Sequence, residues 1–377
     1  MRYRYSAGAD GKPEKKAVIY INGEHGINHA DVDSEAVSIV KKLKSSGFDS
    51  YIVGGAVRDL ILGKKPKDFD IVSAASPARI RKIFRNSRII GRRFRLVHVY
   101  FGQRIFEVST FRSLKDGHTS NTFGTIDEDV LRRDFTLNAL YYDPEQQIVV
   151  DYVGGMKDIT KKIIKPIISL SEIFTDDPVR MIRAVKYAAI AGFTLPLNLK
   201  MKISHQSNLL KTISSSRLTE EILKIISSDK ACDIVDMLDK TGLYNFIQPA
   251  ASSLMRRDSS FKKKYLQSMA ELKGSDNARG QALSALFRDY LDSVFEWKPG
   301  AADNFKEISK TIRVFMLPMN PPRFEMEYAL KKYLASRGII IKRSFTAKPA
   351  LAKLPAGEGD AVKKRRRRRN KKKAIDL

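Results

Sequence analysis

Cysteine and histidine are scarce in this sequence, and long apolar runs are absent. Cys232 is the only cysteine among 377 residues, which excludes an intrachain disulfide and a zinc site built from several cysteines. The five histidines form no HExxH motif and no closely spaced pair that suits a metal ion. No run approaches the roughly 18 apolar residues of a membrane helix, and residues 1–16 lack the apolar core of a secretory signal. We therefore predict a soluble, cytoplasmic protein with no membrane span.

Acidic residues are outnumbered by basic ones. The chain has 69 Lys and Arg against 42 Asp and Glu, a net charge of +27, which predicts a polyanionic partner such as nucleic acid. Residues 341–377 alone hold fourteen Lys and Arg and three acids. A like-charge block of this kind cannot bury itself, so we predict a disordered tail, for which a nuclear import signal is the alternative interpretation. Its basic run consists of Lys363, Lys364, Arg365, Arg366, Arg367, Arg368, Arg369, Lys371, Lys372 and Lys373.

Two kinds of region follow one another along the chain. Residues 1–30 are polar and contain glycine, and we predict an irregular extension there. From Asp33 to about residue 155, β-rich runs alternate with short helical patterns, which predicts a small mixed α/β domain. After Ile168 the pattern is helical almost throughout. The predicted fold class is therefore α+β, with a mixed α/β domain followed by all-α domains.

Several local elements can be predicted from spacing and turn residues. A buried strand at 51–53 breaks at Gly54-Gly55, a second strand covers 69–72, and Ser76-Pro77 begins a helix. The runs 95–101 and 104–111 form a hairpin around Gly102-Gln103. A later helix is capped by Thr175 and ends at Gly192. Further helices are predicted at 217–228, 229–240, 260–273, 278–295 and 303–315, with Pro318, Pro321 and Pro322 marking the end.

A pair of glycines and a pair of aspartates form the first chemical constellation. Asp68 and Asp70 are two positions apart, which places both side chains on one face of a strand. Close carboxylates repel each other unless a cation lies between them, and Mg²⁺ prefers such hard oxygen ligands together with substrate phosphates. Gly54 and Gly55 at a strand end let backbone N–H groups approach a phosphate, although the segment is neither a Walker A motif nor GxGxxG. The alternative is a solvated aspartate pair in a turn, the commoner case for a lone pair.

Glu107 stands in the β-rich run FEVSTFR. A carboxylate inside such a run is costly unless it is paired, metal-bound or exposed. With Asp68 and Asp70 it would complete a three-carboxylate site for two metal ions, which align an attacking and a leaving oxygen at phosphorus. One alternative is an outward-facing glutamate on an edge strand. Another is a metal-dependent nuclease, but the common nuclease pairing of an acid with a lysine two positions later is missing, since Ser109 stands there.

The segment RRDFTLN at 132–138 is the third constellation. Arg132 and Arg133 suit the oxygens of a triphosphate, while Asp134 and Asn138 can bond a ribose or assist a metal centre. The alternative is a surface cluster of salt bridges at the start of a helix.

The fourth constellation is DDPVR at 176–180 with Arg183. Asp177, Arg180 and Arg183 are three positions apart and share one side of a helix. An aspartate and an arginine presented together offer an acceptor and donors to the edge of a base. The alternative is an intrahelical ion pair near the helix N-terminus.

Six segments in this order resemble class II nucleotidyltransferases, the family of the bacterial poly(A) polymerases and the CCA-adding tRNA nucleotidyltransferases. The resemblance covers about residues 33–240. Its segments are IVGGAVRDLILG after Tyr51, DFD at 68–70, EVSTFR at 107–112, RRDFTLNALYY at 132–142, DYVGGMKD at 151–158 and DDPVRMIRA at 176–184.

The resemblance implies both domains and site residues. It implies a head at 31–165 with a nucleotidyltransferase palm, a neck at 166–228 that recognises the base, an RNA-binding helical body at 229–340, and the basic tail as an RNA-binding segment. Asp68, Asp70 and Glu107 match the catalytic metal ligands, and Asp134 matches a position counted as catalytic or as ribose-binding. Asp177 and Arg180 match the pair that reads the incoming base. The implied ATP-binding residues are Gly54, Gly55, Arg58, Arg132, Arg133, Asn138, Asp177, Arg180 and Arg183.

Within the family, the stretch IIGRRFRLVHV at 89–99 resembles poly(A) polymerases rather than CCA-adding enzymes, and the basic tail points the same way. Three departures stand beside the match. Asp176 occupies a position where the family usually has Glu, the segment between Arg112 and Asn121 is short for a poly(A) polymerase, and the match fades beyond about residue 245.

The resemblance therefore implies template-independent addition of adenylate from ATP to the 3′ ends of mRNA and other transcripts, with Mg²⁺ as cofactor and pyrophosphate as product. CCA addition to tRNA is the alternative that uses the same palm. A more remote alternative is a basic RNA-binding protein with an inactive palm, which is disfavoured because Asp68, Asp70, Glu107 and the RRD segment are all present.

Overall fold

The structure is a computed structural model that describes residues 2–7, 13–91, 95–113, 122–272, 279–295, 297 and 304–341. In these residues a mixed sheet comes first and a helical region follows, which confirms the predicted fold class. None of the helices that the structure describes is long and apolar enough to cross a bilayer. Residues 342–377, which hold the basic run, lie outside the described residues.

The strands of the described residues form one sheet, in the spatial order β1-β2-β9-β8-β3-β4-β7-β6-β5. Every neighbouring pair is antiparallel except β4 and β7, which run parallel. The strands are β1 (Arg2–Ala7), β2 (Pro13–Tyr20), β3 (Ser50–Val53), β4 (Asp70–Ser73), β5 (Ser87–Ile90), β6 (Leu96–Phe101), β7 (Arg104–Thr110), β8 (Leu140–Asp143) and β9 (Ile148–Asp151).

The helices of the described residues fall into two groups along the chain, seven that end before residue 192 and ten that follow it. The first group is α1 (Ser34–Ser45), α2 (Gly55–Ile61), α3 (Pro77–Ile83), α4 (Ile126–Leu131), α5 (Gly155–Thr160), α6 (Ile173–Asp176) and α7 (Val179–Ala191). The second group is α8 (Leu197–Gln206), α9 (Ser215–Ile226), α10 (Ala231–Lys240), α11 (Tyr244–Ile247), α12 (Pro249–Arg257), α13 (Ser259–Ala270), α14 (Arg279–Ala285), α15 (Arg288–Val294), α16 (Phe305–Phe315) and α17 (Arg323–Ser336).

Helix boundaries in the first half follow the predicted signals. The Asp33 carboxylate accepts hydrogen bonds from the first N–H groups of α1, and the Ser76 hydroxyl does the same for α3, whose first residue is Pro77. Gly192 ends α7 with φ +74°, a conformation that favours glycine. The hairpin around Gly102-Gln103 is confirmed as β6 and β7.

Two apolar clusters cover the two faces of the sheet. The larger contains Ile52, Ile71 and Val108 and continues without a break into the helical region. The smaller contains Val53 and Val72 and lies beneath α4. Successive residues of β3 and β4 therefore point to opposite faces, and the sheet shares one core with the helices.

The prediction for residues 1–30 was wrong, because the described part of this segment contains two strands. β2 pairs with β9 through Val18 and Asp151, and β1 pairs with β2. The polar residues belong to an edge of the sheet, where only one side of each strand must be apolar. The pairing joins residues more than a hundred positions apart, which no local pattern reveals.

Three helical predictions also need correction. Thr175 does not cap α7, since its hydroxyl donates to the Glu172 carbonyl and the helix begins at Val179. The stretch 278–295 is two helices, because the fully buried Phe287 leaves the helical conformation between them. The prolines 318–322 do not end the helical region, because Pro322 precedes the first residue of α17.

The motif DYVGGMKD acts as a support for the segment at 132–138. The Asp151 carboxylate accepts hydrogen bonds from the four backbone N–H groups of residues 153–156, which fixes the start of α5. The Asp158 carboxylate accepts a hydrogen bond of 2.7 Å from the Thr136 hydroxyl. Gly155 packs so closely on the same turn that a Cβ atom there would lie 2.3 Å from the Thr136 carbonyl oxygen.

Gly155→Ala is therefore expected to lower the free energy of unfolding by about 2 kcal/mol, because the added methyl group must push a backbone carbonyl aside. Urea denaturation measures the change. Gly55→Ala is the matched control, since a Cβ atom there would lie 3.5 Å from the Arg58 guanidinium, an ordinary contact. Equal stabilities of the two variants would contradict the packing argument.

Candidate active site

Two carboxylates lie side by side on the sheet. In the parallel pairing of β4 and β7, Ile71 lies opposite Val108. Asp70 directly precedes Ile71 and Glu107 directly precedes Val108, so the two acids are neighbours on adjacent strands. Both acids line one cavity of about 650 Å³. β7 lies inside the sheet between β4 and β6, which excludes the interpretation of Glu107 as a glutamate on an edge strand. Neighbouring strands therefore bring together two acids that are far apart in sequence.

The Asp70 carboxyl is in an environment that disfavours its charge. Although solvent reaches its side chain, desolvation by the surrounding protein and then the negative charge of Glu107 raise its pKa to about 6. Asp68 acts in the same direction from the loop before β4. The expectation that both aspartates lie on one strand was wrong, because β4 begins at Asp70.

His98 is a neighbour of this pair of acids. It pairs with Glu107 across β6 and β7, and its Nε2 atom lies 3.3 Å from the Glu107 carboxylate. This contact gives the His98 imidazole a polar partner. Its partner is an acid of the candidate site.

Arginines form another wall of the same cavity. Arg133 donates to the Tyr141 hydroxyl and to the Asp129 carboxylate, both at 3.0 Å. Burial lowers the pKa of Arg133, but Tyr141 and Asp129 raise it by more, so its pKa lies above the ordinary value. Arg132 donates to the Ser113 carbonyl, and burial together with the charge of Arg112 lowers its pKa. Concentrated positive charge in a partly buried wall suits an anion such as a phosphate chain.

A second cavity, of about 410 Å³, adjoins the first and shares Asp70, Arg133 and Asp134 with it. The other residues that line it include Gly54, Gly55, Arg58, Asn138, Lys186 and Tyr187. Arg58 donates to the Asn138 side chain at 3.0 Å. Gly54 has φ +74°, and a Cβ atom on it would lie 3.7 Å from the Asp70 carboxylate. The glycine pair, Arg58 and Asn138 are thus brought together as predicted.

Asp134 links the mixed domain to α7. Its carboxylate accepts hydrogen bonds from Arg180 Nε at 2.8 Å and from Arg183 Nη1 at 2.9 Å. Arg180 also pairs with Asp176, and Arg183 pairs with Glu221 of α9 at 2.7 Å. The side chain of Arg180 is only 3% exposed, so these bonds fix its position. Asp134 is therefore an acceptor for two arginines in a largely buried network.

Asp177 and Arg180 both line the larger cavity, but among the described residues no hydrogen bond or ion pair joins their two side chains. The Asp177 carboxylate accepts from Arg217 of α9 at 2.5 Å and caps the Val179 N–H at 3.1 Å. The interpretation of an ion pair within one helix was wrong: Arg180 of α7 pairs with Asp176, the last residue of α6.

The acids at the base of the larger cavity fit Mg²⁺. Asp70 and Glu107 supply hard oxygen ligands, and their mutual repulsion is the kind that a cation relieves. Mg²⁺ is usually held by one or two carboxylates together with water and substrate phosphates. Within the described residues, no three His, Cys, Asp or Glu side chains form a complete cage. The residues that would hold the ion are Asp70 and Glu107, with Asp68 beside them.

The residues that sequence reasoning missed at the two cavities and their walls include four charged ones. Asp129 is four positions before Arg133 and Lys186 three positions after Arg183, so helical spacing was an available signal. Arg217 and Glu221 come from α9, about 40 residues beyond their partners, and no local pattern indicates them. Residues 92–94, 114–121 and 363–373, on which three sequence interpretations partly rest, lie outside the described residues.

Comparison with known families agrees with this geometry. Residues 50–165 match the Poly A polymerase head domain. Residues 192–255 match a region described as "Probable RNA and SrmB-binding site of polymerase A". The first match contains the strands and loops that carry Asp68, Asp70, Glu107 and the segment at 132–138, and the second begins just after α7.

Poly(A) polymerase I of Escherichia coli O157:H7 is 40% identical over 249 residues, which are 62% of this chain and 53% of that protein. The CC-adding tRNA nucleotidyltransferase of Halalkalibacterium halodurans is 35% identical over 217 residues, 58% of this chain and 55% of that protein. This chain thus spans about half the length of the first curated relatives it matches.

Among solved structures, the Bacillus stearothermophilus CCA-adding enzyme in complex with CTP is similar with a TM-score of 0.56 at 26% identity. The match covers 80% of this chain and 82% of that one. The head-domain match, the curated relatives and this structural similarity agree with the site described above. The chain belongs to the class II nucleotidyltransferase family and carries a poly(A) polymerase head domain at residues 50–165.

Proposed function

We propose that this chain is a template-independent polymerase that adds adenylate residues from ATP to RNA 3′ ends and releases pyrophosphate. The observation that carries the proposal is the adjacency of Asp70 and Glu107 at the base of a cavity walled by arginines, within a poly(A) polymerase head domain. Carboxylates that hold a cation and arginines that bind phosphates are the parts that nucleotidyl transfer requires.

The residues of the cavity would divide the work of this reaction. Mg²⁺ bound by Asp70 and Glu107, with Asp68 nearby, would lower the pKa of the RNA 3′-hydroxyl and polarise the α-phosphate of ATP. Arg132 and Arg133 would bind the triphosphate, and the bonds from Arg133 to Tyr141 and Asp129 hold it in position. The 3′ oxygen then attacks the α-phosphorus while the bond to the pyrophosphate oxygen breaks. Orientation and charge neutralisation are thus the chain's main contributions.

Recognition of the base is proposed for Asp177 and Arg180. Both line the larger cavity, one as an acceptor and the other as a donor. Asp134 and Asp176 hold Arg180, and Arg217 holds Asp177, so neither side chain is free to swing away. A pair fixed in this way can distinguish bases by hydrogen bonding, because a mismatched base leaves buried polar groups without partners.

Adenylate addition is favoured over CCA addition by the higher identity to poly(A) polymerase I, 40% against 35% for the CC-adding relative. The stretch at 89–99 and the basic run at 363–373, which would hold RNA phosphates, point the same way. CCA addition to tRNA remains the second candidate, and the similarity to the CCA-adding enzyme structure favours it.

The test is incorporation of each nucleoside triphosphate in separate reactions with Mg²⁺. One substrate is an unstructured oligoribonucleotide, and the other is a tRNA that lacks its CCA end. We expect a long ladder with ATP on the oligoribonucleotide and little extension with CTP, GTP or UTP.

Addition confined to the tRNA, ending after two cytidylates and one adenylate, would assign the chain to CCA addition. Absence of incorporation on both substrates would reject the polymerase proposal and favour an RNA-binding protein with an inactive palm.

A further inference from the structure

A groove between α16 and α17 collects positive charge far along the chain from the candidate active site. Its cavity measures about 310 Å³, and Lys306, Lys310, Arg313 and Arg323 contribute to its lining. The first three follow one another at i, i+4 and i+7 and so share a face of α16. Four cations around one groove repel each other, and bound anions relieve this repulsion.

The cations on α16 are not neutralised by neighbouring acids. Arg323 pairs with Glu327 at 2.8 Å, but Lys306, Lys310 and Arg313 form no ion pair with any residue that the structure describes. The basic tail that follows α17 in sequence carries charge of the same sign and would be repelled from this groove. The charge therefore favours an external polyanion as the occupant.

Two exposed aromatic side chains follow Arg323 and Glu327, the residues of α17 that line the groove, by one position each. Phe324 and Tyr328 lie one helical turn apart on α17 and are 41% and 45% exposed. The ammonium group of Lys332 lies 5.5 Å from the centre of the Tyr328 ring. Exposed rings interleaved with cations are typical of surfaces that bind single-stranded nucleic acid, where bases stack on rings and phosphates meet cations.

A short connection joins the groove to the candidate active site. The backbone N–H of Asn320, in the segment between α16 and α17, donates to the Thr219 hydroxyl at 2.9 Å. Thr219 lies on α9 between Arg217 and Glu221, which bond to Asp177 and Arg183 of the active site. α9 thus contacts both the segment between α16 and α17 and two residues of the candidate active site. The groove also lies beyond residues 192–255, the part that matches an RNA-binding region.

We infer that the groove between α16 and α17 binds the phosphodiester backbone of single-stranded RNA on the 5′ side of the 3′ end being extended, with bases stacked on Phe324 and Tyr328. The identification of the strand as the substrate rests on the proposed function. The binding of single-stranded RNA by this groove does not depend on catalysis.

The experiment measures binding of 5′-fluorescein-labelled oligoadenylate of about 20 nucleotides to the full chain by fluorescence anisotropy, without ATP or metal. The triple variant Lys306→Gln, Lys310→Gln, Arg313→Gln is expected to bind about tenfold more weakly near physiological salt. The slope of log affinity against log salt is expected to fall by about 2, since each phosphate contact contributes roughly 0.7 for a single strand.

The matched control removes three exposed cations from the mixed domain, with Lys41→Gln, Lys82→Gln and Arg85→Gln. It lowers the net charge equally and is expected to change the slope little. For the rings, Tyr328→Leu is expected to weaken binding about tenfold, whereas Tyr328→Phe keeps the stacking surface and binds as the parent chain does.

Unchanged binding by the groove triple variant, or equal losses in the two triple variants, would overturn the inference. The same holds if Tyr328→Leu binds as tightly as Tyr328→Phe. Incorporation of ATP onto a primer of about four nucleotides tests the proposed function separately. A chain that incorporates no nucleotide but loses RNA affinity in the groove variants keeps this inference and rejects the polymerase proposal.

Discussion

Replacing Asp70 with asparagine is expected to reduce nucleotide incorporation about a thousandfold or more, because it removes one of the two adjacent carboxylates at the base of the larger cavity. The chain should remain folded. The Asp70 carboxylate is in an environment that disfavours its charge, so a neutral amide of the same shape relieves repulsion from Glu107. Single-turnover incorporation of ATP measures the loss, and thermal unfolding without metal measures stability.

Glu145→Gln is the control for this variant, since it removes an exposed carboxylate on the loop between β8 and β9. It is expected to keep full activity. Mg²⁺ should raise the unfolding temperature of the parent chain and of Glu145→Gln more than that of Asp70→Asn. An Asp70→Asn variant that is folded and retains substantial incorporation would exclude Asp70 from the chemistry.

Asp134→Ala is expected to lower the free energy of unfolding by about 3 kcal/mol, because it removes the shared acceptor of two arginines. In this variant Arg180 retains its ion pair with Asp176, and Arg183 retains its ion pair with Glu221. The expected loss of stability is therefore at the low end of the range for breaking a buried ion pair. Urea denaturation measures the loss. Incorporation should also fall, because Arg180 loses one of the two carboxylates that hold it at the larger cavity.

Asp233→Ala is the matched control, because Asp233 and its partner Lys230 are both more than half exposed. Its expected cost is at most about 1 kcal/mol. If Asp134→Ala lowered the free energy of unfolding no more than this control does, the network around Asp134 would not contribute to the stability of the fold.

The sequence predicts the chemistry of this site better than its geometry. Spacing and residue type indicate the glycine pair, the acids at 70 and 107 and the arginines at 132 and 133, and the structure brings them together in two adjoining cavities. Their adjacency depends on the parallel pairing of β4 with β7. That pairing is non-local, and local patterns do not determine it.

The contact between Asp134 and α7 is likewise non-local, and local sequence patterns do not determine it. Helical spacing suggests a bond between Asp177 and Arg180, but Arg180 Nε donates to Asp134, which lies 46 residues earlier in the chain. The groove between α16 and α17 was missed for a different reason. Three prolines suggested the end of the helical region, although proline is also favoured just before or within the first turn of a helix, as at α17.

The network around Asp134 also bears on how an RNA strand would move through the candidate active site. Asp134 belongs to the mixed domain, whereas Arg180 and Arg183 belong to α7. Separating α7 from the mixed domain would therefore break two ion pairs at once. We expect this contact between Asp134 and α7 to stay intact through successive nucleotide additions. If the proposed function holds, the RNA would slide past this fixed contact after each addition, and the step of elongation would be a movement of the nucleic acid rather than the swing of a domain.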